Sequence, residues 1–215
     1  MAPDYQWIIT RVDGKISSVS LDYGGLHKIA SMLYGIKPGL SKAKQKNAAT
    51  RMAKTAATVS TEKVDTDTLI RMSESLKWDD LNLFGTEFQL GVWKHLFMLN
   101  HGEDGAQAPE PRLLSYSDFA TICGNRPGIR AVAHAVGLNP VAVLLPCHRI
   151  IPKESIDRIA EIEVAARKTI FKGADIWLFD AIDFGEYALG TKVKRYILGR
   201  EFSYGCAAAG EISQE

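Results

Sequence analysis

The chain has 215 residues, 46% of them hydrophobic and 24% charged, with a formal net charge of +1. That profile belongs to a globular protein of one large or two small domains and excludes a wholly disordered chain. No run approaches the roughly 18 apolar residues of a membrane span, and the Met-Ala-Pro-Asp start has no basic region leading into an apolar stretch, so a cytoplasmic protein with no membrane partner is expected. Cys123, Cys147 and Cys206 lie far apart with no CxxC pair, which argues against a disulfide framework and against a typical zinc site. Buried thiols, or one reactive thiol, remain.

The low net charge conceals patterning. Residues 23–61 contain no acid but carry Lys28, Lys37, Lys42, Lys44, Lys46, Arg51 and Lys54. A second acid-free stretch, 119–152, holds Arg126, Arg130, Arg149, His134 and His148. A polyanion could approach either stretch without meeting a local carboxylate, and a solvated face with acids supplied from elsewhere is equally compatible.

In chain order, Tyr5 to Thr10 and Ile16 to Asp22 flank a Val-Asp-Gly-Lys turn and predict a hairpin, followed by helices near 26–34 and 66–76. The Lys/Ala/Thr-rich piece 41–60 is helix-capable but lacks apolar periodicity, and reads as a basic surface segment. Thr86 with Gln89 forms a capping-box pattern opening a helix that turns Phe88, Val92 and Leu96, with Trp93 beside them, toward a core. Gly102 and Pro109 to Pro111 mark a loop. A short helix starts near Ser115 or Tyr116, and a second opens at Pro127 and stops at Gly137. With the Gly-Asn-Arg-Pro-Gly turn between them, the pair has the outline of a helix-turn-helix.

Asn139-Pro140 then makes a turn, Val141 to Leu145 is apolar, and Pro146-Cys147-His148-Arg149 closes the run with a nucleophile beside a base. A free thiol is only a few per cent thiolate at neutral pH, so a useful one needs a neighbouring His or cationic field. Cys147 has both. Cys123 has no adjacent His and Cys206 sits in a Gly/Ala-rich tail, so a structural role is expected for each.

In this order and company the sequence resembles the O6-alkylguanine-DNA alkyltransferases, or methylated-DNA-protein-cysteine methyltransferases. The resemblance rests on Gly85-Thr86-Glu87-Phe88-Gln89 with Val92-Trp93, Ser115-Tyr116, Arg130-Ala131-Val132, Asn139-Pro140, Pro146-Cys147-His148-Arg149-Ile150, and Gly185-Glu186-Tyr187 leading to Lys194 and Glu201. It covers about 78–151 and 185–201. It implies an α/β fold: a small N-terminal α/β domain (1–77), a C-terminal helical domain with a helix-turn-helix, winged-helix-like element (78–205), and a tail (206–215). It also implies one-turnover transfer of an alkyl group from O6 of guanine in double-stranded DNA to Cys147, after the base is flipped out of the duplex. His148 would remove the thiol proton through a water, oriented by Glu201, while Tyr116 and Lys194 help neutralise the departing guanine.

The resemblance further makes Arg130 the residue that fills the hole left by the flipped base, with Ala131, Arg126, Tyr116 and Arg149 also facing DNA. Asn139, Pro146, Tyr187, Ala188 and Leu189 would shape the pocket, Asn139 by tying its turn to the cysteine segment. No metal and no cofactor are implied, because the protein itself accepts the alkyl group, and it would act as a monomer in the cytoplasm or, in a eukaryote, the nucleus.

The chain departs from the family pattern at 152–184, where a shorter glycine-containing loop is usual. Here Ser155 to Lys172 has the periodicity of an amphipathic helix with Ile156, Ile159, Glu163, Ala166 and Ile170 in its repeat, followed by Trp177, Leu178 and Phe179. This insertion is expected to dock on the C-terminal domain, with Arg167, Lys168 and Lys172 near the site. Three other readings stay open: a lesion-binding protein that transfers nothing, a Cys-His hydrolase on a helical scaffold, and a helix-turn-helix regulator with an incidental thiol.

Overall fold

The computed structural model describes residues 5–22, 58–101, 112–166 and 182–210, with side chains omitted for 162–166 and 203–210. Strands β1 (Gln6–Val12) and β2 (Lys15–Leu21) form the expected hairpin. Asp13 and Gly14 turn it with φ of 50° and 79°, the paired positive values that match the twist of a two-residue hairpin and favour Asp-Gly. Asp13 Oδ1 also accepts from the Thr58 backbone N–H at 2.9 Å, at the entry to β3 (Val59–Asp65). That third strand was not anticipated. It pairs antiparallel with β1 along its whole length, giving the sheet order β2-β1-β3. Val-Ser-Thr-Glu-Lys-Val-Asp is exposed through its first five residues, so no buried alternation announced it.

Helix α1 (Thr66–Ser75) follows at the expected place, capped by Asp65, whose carboxylate accepts from the Thr68 N–H at 2.7 Å. It buries Leu69 and Ile70, and Trp7 anchors the junction by donating from Nε1 to Thr66 Oγ1 at 2.9 Å. The outer edge of β2 is not left to solvent. Ile16 C=O accepts from the Asn82 N–H at 2.8 Å, and the Val19 N–H donates to Pro140 C=O at 2.9 Å. Two segments of the second half thus satisfy β2 on the side away from β1.

Helix α2 (Glu87–His101) opens with the reciprocal bonds the sequence called for: the Thr86 N–H to Gln89 Oε1 at 2.8 Å and the Gln89 N–H to Thr86 Oγ1 at 3.2 Å. Val92, Trp93 and Leu96 are buried as expected, but Phe88 is 42% exposed. The buried stripe is completed by Asn100 and His101 at the other end, and Phe88 in the first turn lies outside its span.

The two-residue strand β4 (Leu114–Ser115) leads into α3 (Tyr116–Ile122), capped by Ser115 as expected. Pro127 opens a single 3-10 turn, Arg126–Gly128, and the α-helical part, α4 (Ile129–Gly137), begins two residues later than the proline signal suggested and ends at the predicted Gly137. Trp93 Nε1 donates to Ala135 C=O at 2.9 Å, fastening α4 to α2.

Strand β5 (Ile150–Ile151) pairs parallel with β4. Helix α5 (Lys153–Ala166) falls in the predicted insertion, starting two residues before Ser155, and α6 (Thr191–Gly210) closes the described chain. Ile159, buried, and Ile156, half-buried, pack in a cluster with Ile151, Ile182, Phe184 and Leu198, which seats α5 on β5 and α6. No helix among the described residues is long and apolar enough to cross a membrane. The expected helix at 26–34, most of the basic stretch 23–61, the 102–111 loop, and Arg167, Lys168, Ile170, Lys172 and Trp177 to Phe179 lie outside the described residues.

Candidate active site

Four elements converge on Cys147. The apolar segment 141–145 is wholly buried and doubles back on itself, with the Leu145 N–H bonded to Val141 C=O at 3.1 Å. Val143 takes φ of +72° in that bend, an uncommon state for a β-branched residue that surrounding packing must hold. A 3-10 turn, Cys147–Arg149, follows and delivers the chain to β5. The β4–β5 pairing then sets Ser115 opposite Ile151, which brings Tyr116 next to the cysteine turn. Helix α6 supplies the rest. Lys194, Ile197, Leu198 and Glu201 recur at helical spacing on one buried face, and Lys194 Nζ donates to Ile150 C=O at 2.9 Å, tying α6 to β5.

Asn139 performs the turn-tying role that the motif implied. Its Oδ1 accepts from the Val141 N–H at 3.0 Å, and its Nδ2 donates to Leu145 C=O at 2.9 Å and to Cys147 Sγ at 3.0 Å. Tyr187 Oη lies 3.7 Å from Sγ. Burial pushes the Cys147 thiol up, against the Asn139 amide, the Tyr187 hydroxyl and the Lys194 charge, all of which favour thiolate. Burial likewise raises Tyr187 well above its ordinary value and raises Tyr116, with Cys147 the next cause for each. Both phenols therefore stay protonated and can donate.

His148 and Glu201, 53 positions apart, meet with Nε2 and Oε2 at 3.0 Å. An ionised carboxylate only accepts, so Nε2 carries the proton and donates, which leaves Nδ1 as the basic nitrogen. Nδ1 is buried and has no protein hydrogen-bond partner among the described residues. Burial lowers His148, with Glu201 opposing, so the ring is neutral near pH 7 and able to take a proton. Glu201 also accepts from Arg149 Nε at 3.0 Å and Nη2 at 2.5 Å. Burial alone would raise the Glu201 carboxyl, but Arg149 and His148 outweigh it and hold it well below the usual range.

One expectation is corrected here. Arg149, grouped with the DNA-facing residues, is 6% exposed and spends its guanidinium on Glu201, so it serves the charge network and presents no free cation to a phosphate. Lys194 is fully buried and does not line the cleft. It acts on Cys147 through its field, and burial lowers its pKa to about 8.

The cleft over Cys147, about 80 Å³, is lined by Tyr116, Asn139, Tyr187, Ala188 and Leu189, as the motifs implied. Pro146 is buried in the turn beside it. Val19, Val136, Gly137, Ala142 and Glu186 also line it and were not foreseen. Glu186 stands inside the quoted Gly-Glu-Tyr motif and was within reach of the sequence reading, whereas Val19 comes from the N-terminal sheet with no local signal. Arg126, Arg130 and Ala131 are exposed around the start of α4. The Cys123 thiol is half-buried and pushed up to about 11 by burial, the opposite of an activated nucleophile; the side chain of Cys206 lies outside those described.

The site is thus a buried cysteine that lines a cleft and is followed in sequence by a histidine paired with Glu201. Residues 87–161 match the family model for the DNA-binding domain of 6-O-methylguanine DNA methyltransferase, which establishes the family resemblance for that segment. The chain is 42% identical over 76 residues to the probable methylated-DNA--protein-cysteine methyltransferase of Acanthamoeba polyphaga mimivirus, covering 35% of this chain and 45% of that protein. It is 41% identical over 69 residues to the inducible methylated-DNA--protein-cysteine methyltransferase of Bacillus subtilis, covering 32% and 34%. The chain therefore spans less than half the length of these curated relatives. Among solved structures, Mycobacterium tuberculosis OGT in complex with DNA aligns over 57% of this chain and 53% of its own, at 29% identity and a TM-score of 0.38. Tyr187, Lys194 and Glu201 fall outside the matched 87–161 segment.

Proposed function

We propose that the protein repairs O6-alkylguanine in double-stranded DNA by accepting the alkyl group on Cys147, once per molecule. The observation that carries this reading is the setting of the Cys147 sulfur. It opens on a cleft, receives the Asn139 amide at 3.0 Å, and adjoins in sequence a histidine whose basic nitrogen is left free by the Glu201 contact.

In the reaction, the S–C bond forms as the C–O6 bond breaks. The thiol proton passes by way of a water to His148 Nδ1, Glu201 stabilises the resulting imidazolium, and the guanine leaves as an anion that the Tyr116 hydroxyl can meet. The Lys194 charge supports both the thiolate and the departing anion from behind the site. Arg130 and Ala131, exposed at the start of α4, and Arg126 just before it would face the duplex, with Arg130 replacing the extruded base. The α3–turn–α4 pair would be the groove-reading unit, residues 1–77 and 78–205 the two domains, and 152–184 an accessory. The protein would work as a monomer where the cell keeps its DNA, in the cytoplasm or nucleus, without a cofactor.

With excess O6-methylguanine duplex, transfer should stop at about one methyl per protein, found by peptide mass analysis on Cys147. Continued turnover, or label on Cys123 or Cys206 instead, would overturn the reading.

A further inference from the structure

We propose that Val19, supplied by the N-terminal sheet, is a specificity-determining residue that limits the size of the alkyl group Cys147 can accept. The inference rests on the alkyl-acceptor reading above and extends it to the choice of substrate.

The cleft divides chemically. Cys147, Tyr116, Asn139 and Tyr187 furnish its polar and reacting groups, while Val19, Val136, Ala142 and Leu189 furnish apolar wall. On an O6-alkylguanine the alkyl group is the apolar part, so it is matched to that wall. Val19 is only 6% exposed and is one of the residues that line the cleft.

Its backbone is held from both sides. Val19 pairs with Ile9 of β1 on one edge, and on the other its N–H donates to Pro140 C=O at 2.9 Å within a bridge to Val141. A β-branched side chain has little rotamer freedom. The isopropyl group therefore has neither a backbone nor a side-chain route by which to withdraw from a bulky ligand. Pro140 directly follows Asn139, whose amide touches the Cys147 sulfur, so wall and nucleophile belong to one hydrogen-bonded assembly. A wall fixed relative to the nucleophile discriminates by size, because a larger group cannot gain room without displacing the sulfur.

The test compares Cys147 alkylation by O6-methylguanine and O6-benzylguanine, each as the free base, in the full-length protein and in Val19→Ala and Val19→Ile. One methylene in an apolar pocket commonly changes discrimination by about tenfold or more. The benzyl-to-methyl rate ratio should rise about tenfold in Val19→Ala and fall by a similar factor in Val19→Ile. A thermal melt of each variant confirms that the folded protein is compared. An unchanged ratio in folded variants, or equal losses with both bases, overturns the proposal and leaves Val19 as a holder of the 139–141 turn. If the unsubstituted protein alkylates Cys147 with neither base nor with methylated duplex, the acceptor reading itself has failed.

Discussion

Arg149 grips Glu201 through two hydrogen bonds, at 3.0 and 2.5 Å, across 52 positions of sequence. Both groups are almost fully buried, and His148 shares the same carboxylate. One negative charge therefore orients the His148 ring and neutralises the guanidinium beside it.

Replacing Glu201 by Gln keeps the shape and removes that charge, leaving Arg149 buried without a counter-ion. Breaking such a pair typically costs about 3–5 kcal/mol, and urea unfolding at pH 7 should show a loss of that order. The pH dependence follows from the sign of the shift. Because the folded pKa of Glu201 is lowered, its stabilisation is complete above the unfolded carboxylate value of about 4.3 and is lost as pH falls below it toward the folded value. The stability gap between parent and Glu201→Gln should therefore narrow on acidification from pH 6 to pH 3, and a constant gap would assign the loss to packing alone.

Lys194 gives a pH dependence of the same sign in an alkaline window. Its folded pKa is about 8, against about 10.4 in an unfolded chain. Below pH 8 the buried charge is a full cost to folding. Between 8 and 10.4 the unfolded state holds a proton that the native state has released, so stability rises with pH. Relative to Lys194→Met, the parent should gain roughly 3 kcal/mol between pH 7 and 10.5, read from denaturant midpoints at matched ionic strength. A flat difference would mean the ammonium is not the buried species.

Substituting Arg130 tests whether base extrusion and chemistry are separable. Arg130 is exposed at the start of α4. Arg130→Ala should slow alkylation by O6-methylguanine in duplex DNA while sparing reaction with the free base, which needs no flipping. Equal losses on the two substrates would place Arg130 in support of the fold.

Much of this site was legible because its chemistry is local. The Thr86–Gln89 box, the Ser115 cap and the Asn139 turn each join residues a few positions apart, and each forms as the sequence prescribes. Cys147 and His148 announced themselves by adjacency. What failed was long-range. Arg149 read as a free cation because its carboxylate arrives from α6, and Val19 was silent because only folding lays β2 beside the 139–141 turn. Strand β3 escaped for a related reason, since its exposed, charged residues acquire strand character only through pairing with β1.

Gly185 should tolerate no side chain. Its φ is +75°, and a Cβ would lie 2.9 Å from Cδ and Cγ of Pro152. The left-handed conformation alone costs an L-residue roughly 1–2 kcal/mol, and the ring of Pro152 is a stiff obstacle. Gly185→Ala is expected to lower the thermal midpoint and, by shifting Tyr187 two residues on, to slow Cys147 alkylation. An unaltered midpoint would show that the 182–190 segment re-routes freely.

The capping of β2 by Asn82 and Pro140 bears on solubility as well as on the site. An uncovered strand edge is a template for pairing with another chain, and β2 carries neither a proline nor an inward charge to discourage it: Ile16 to Leu21 is buried throughout and uncharged. In the intact molecule the second half of the chain is the guard on that edge. A fragment ending at residue 77 would shed the guard and should self-associate edge to edge, whereas a fragment that keeps the 78–145 segment should stay dispersed.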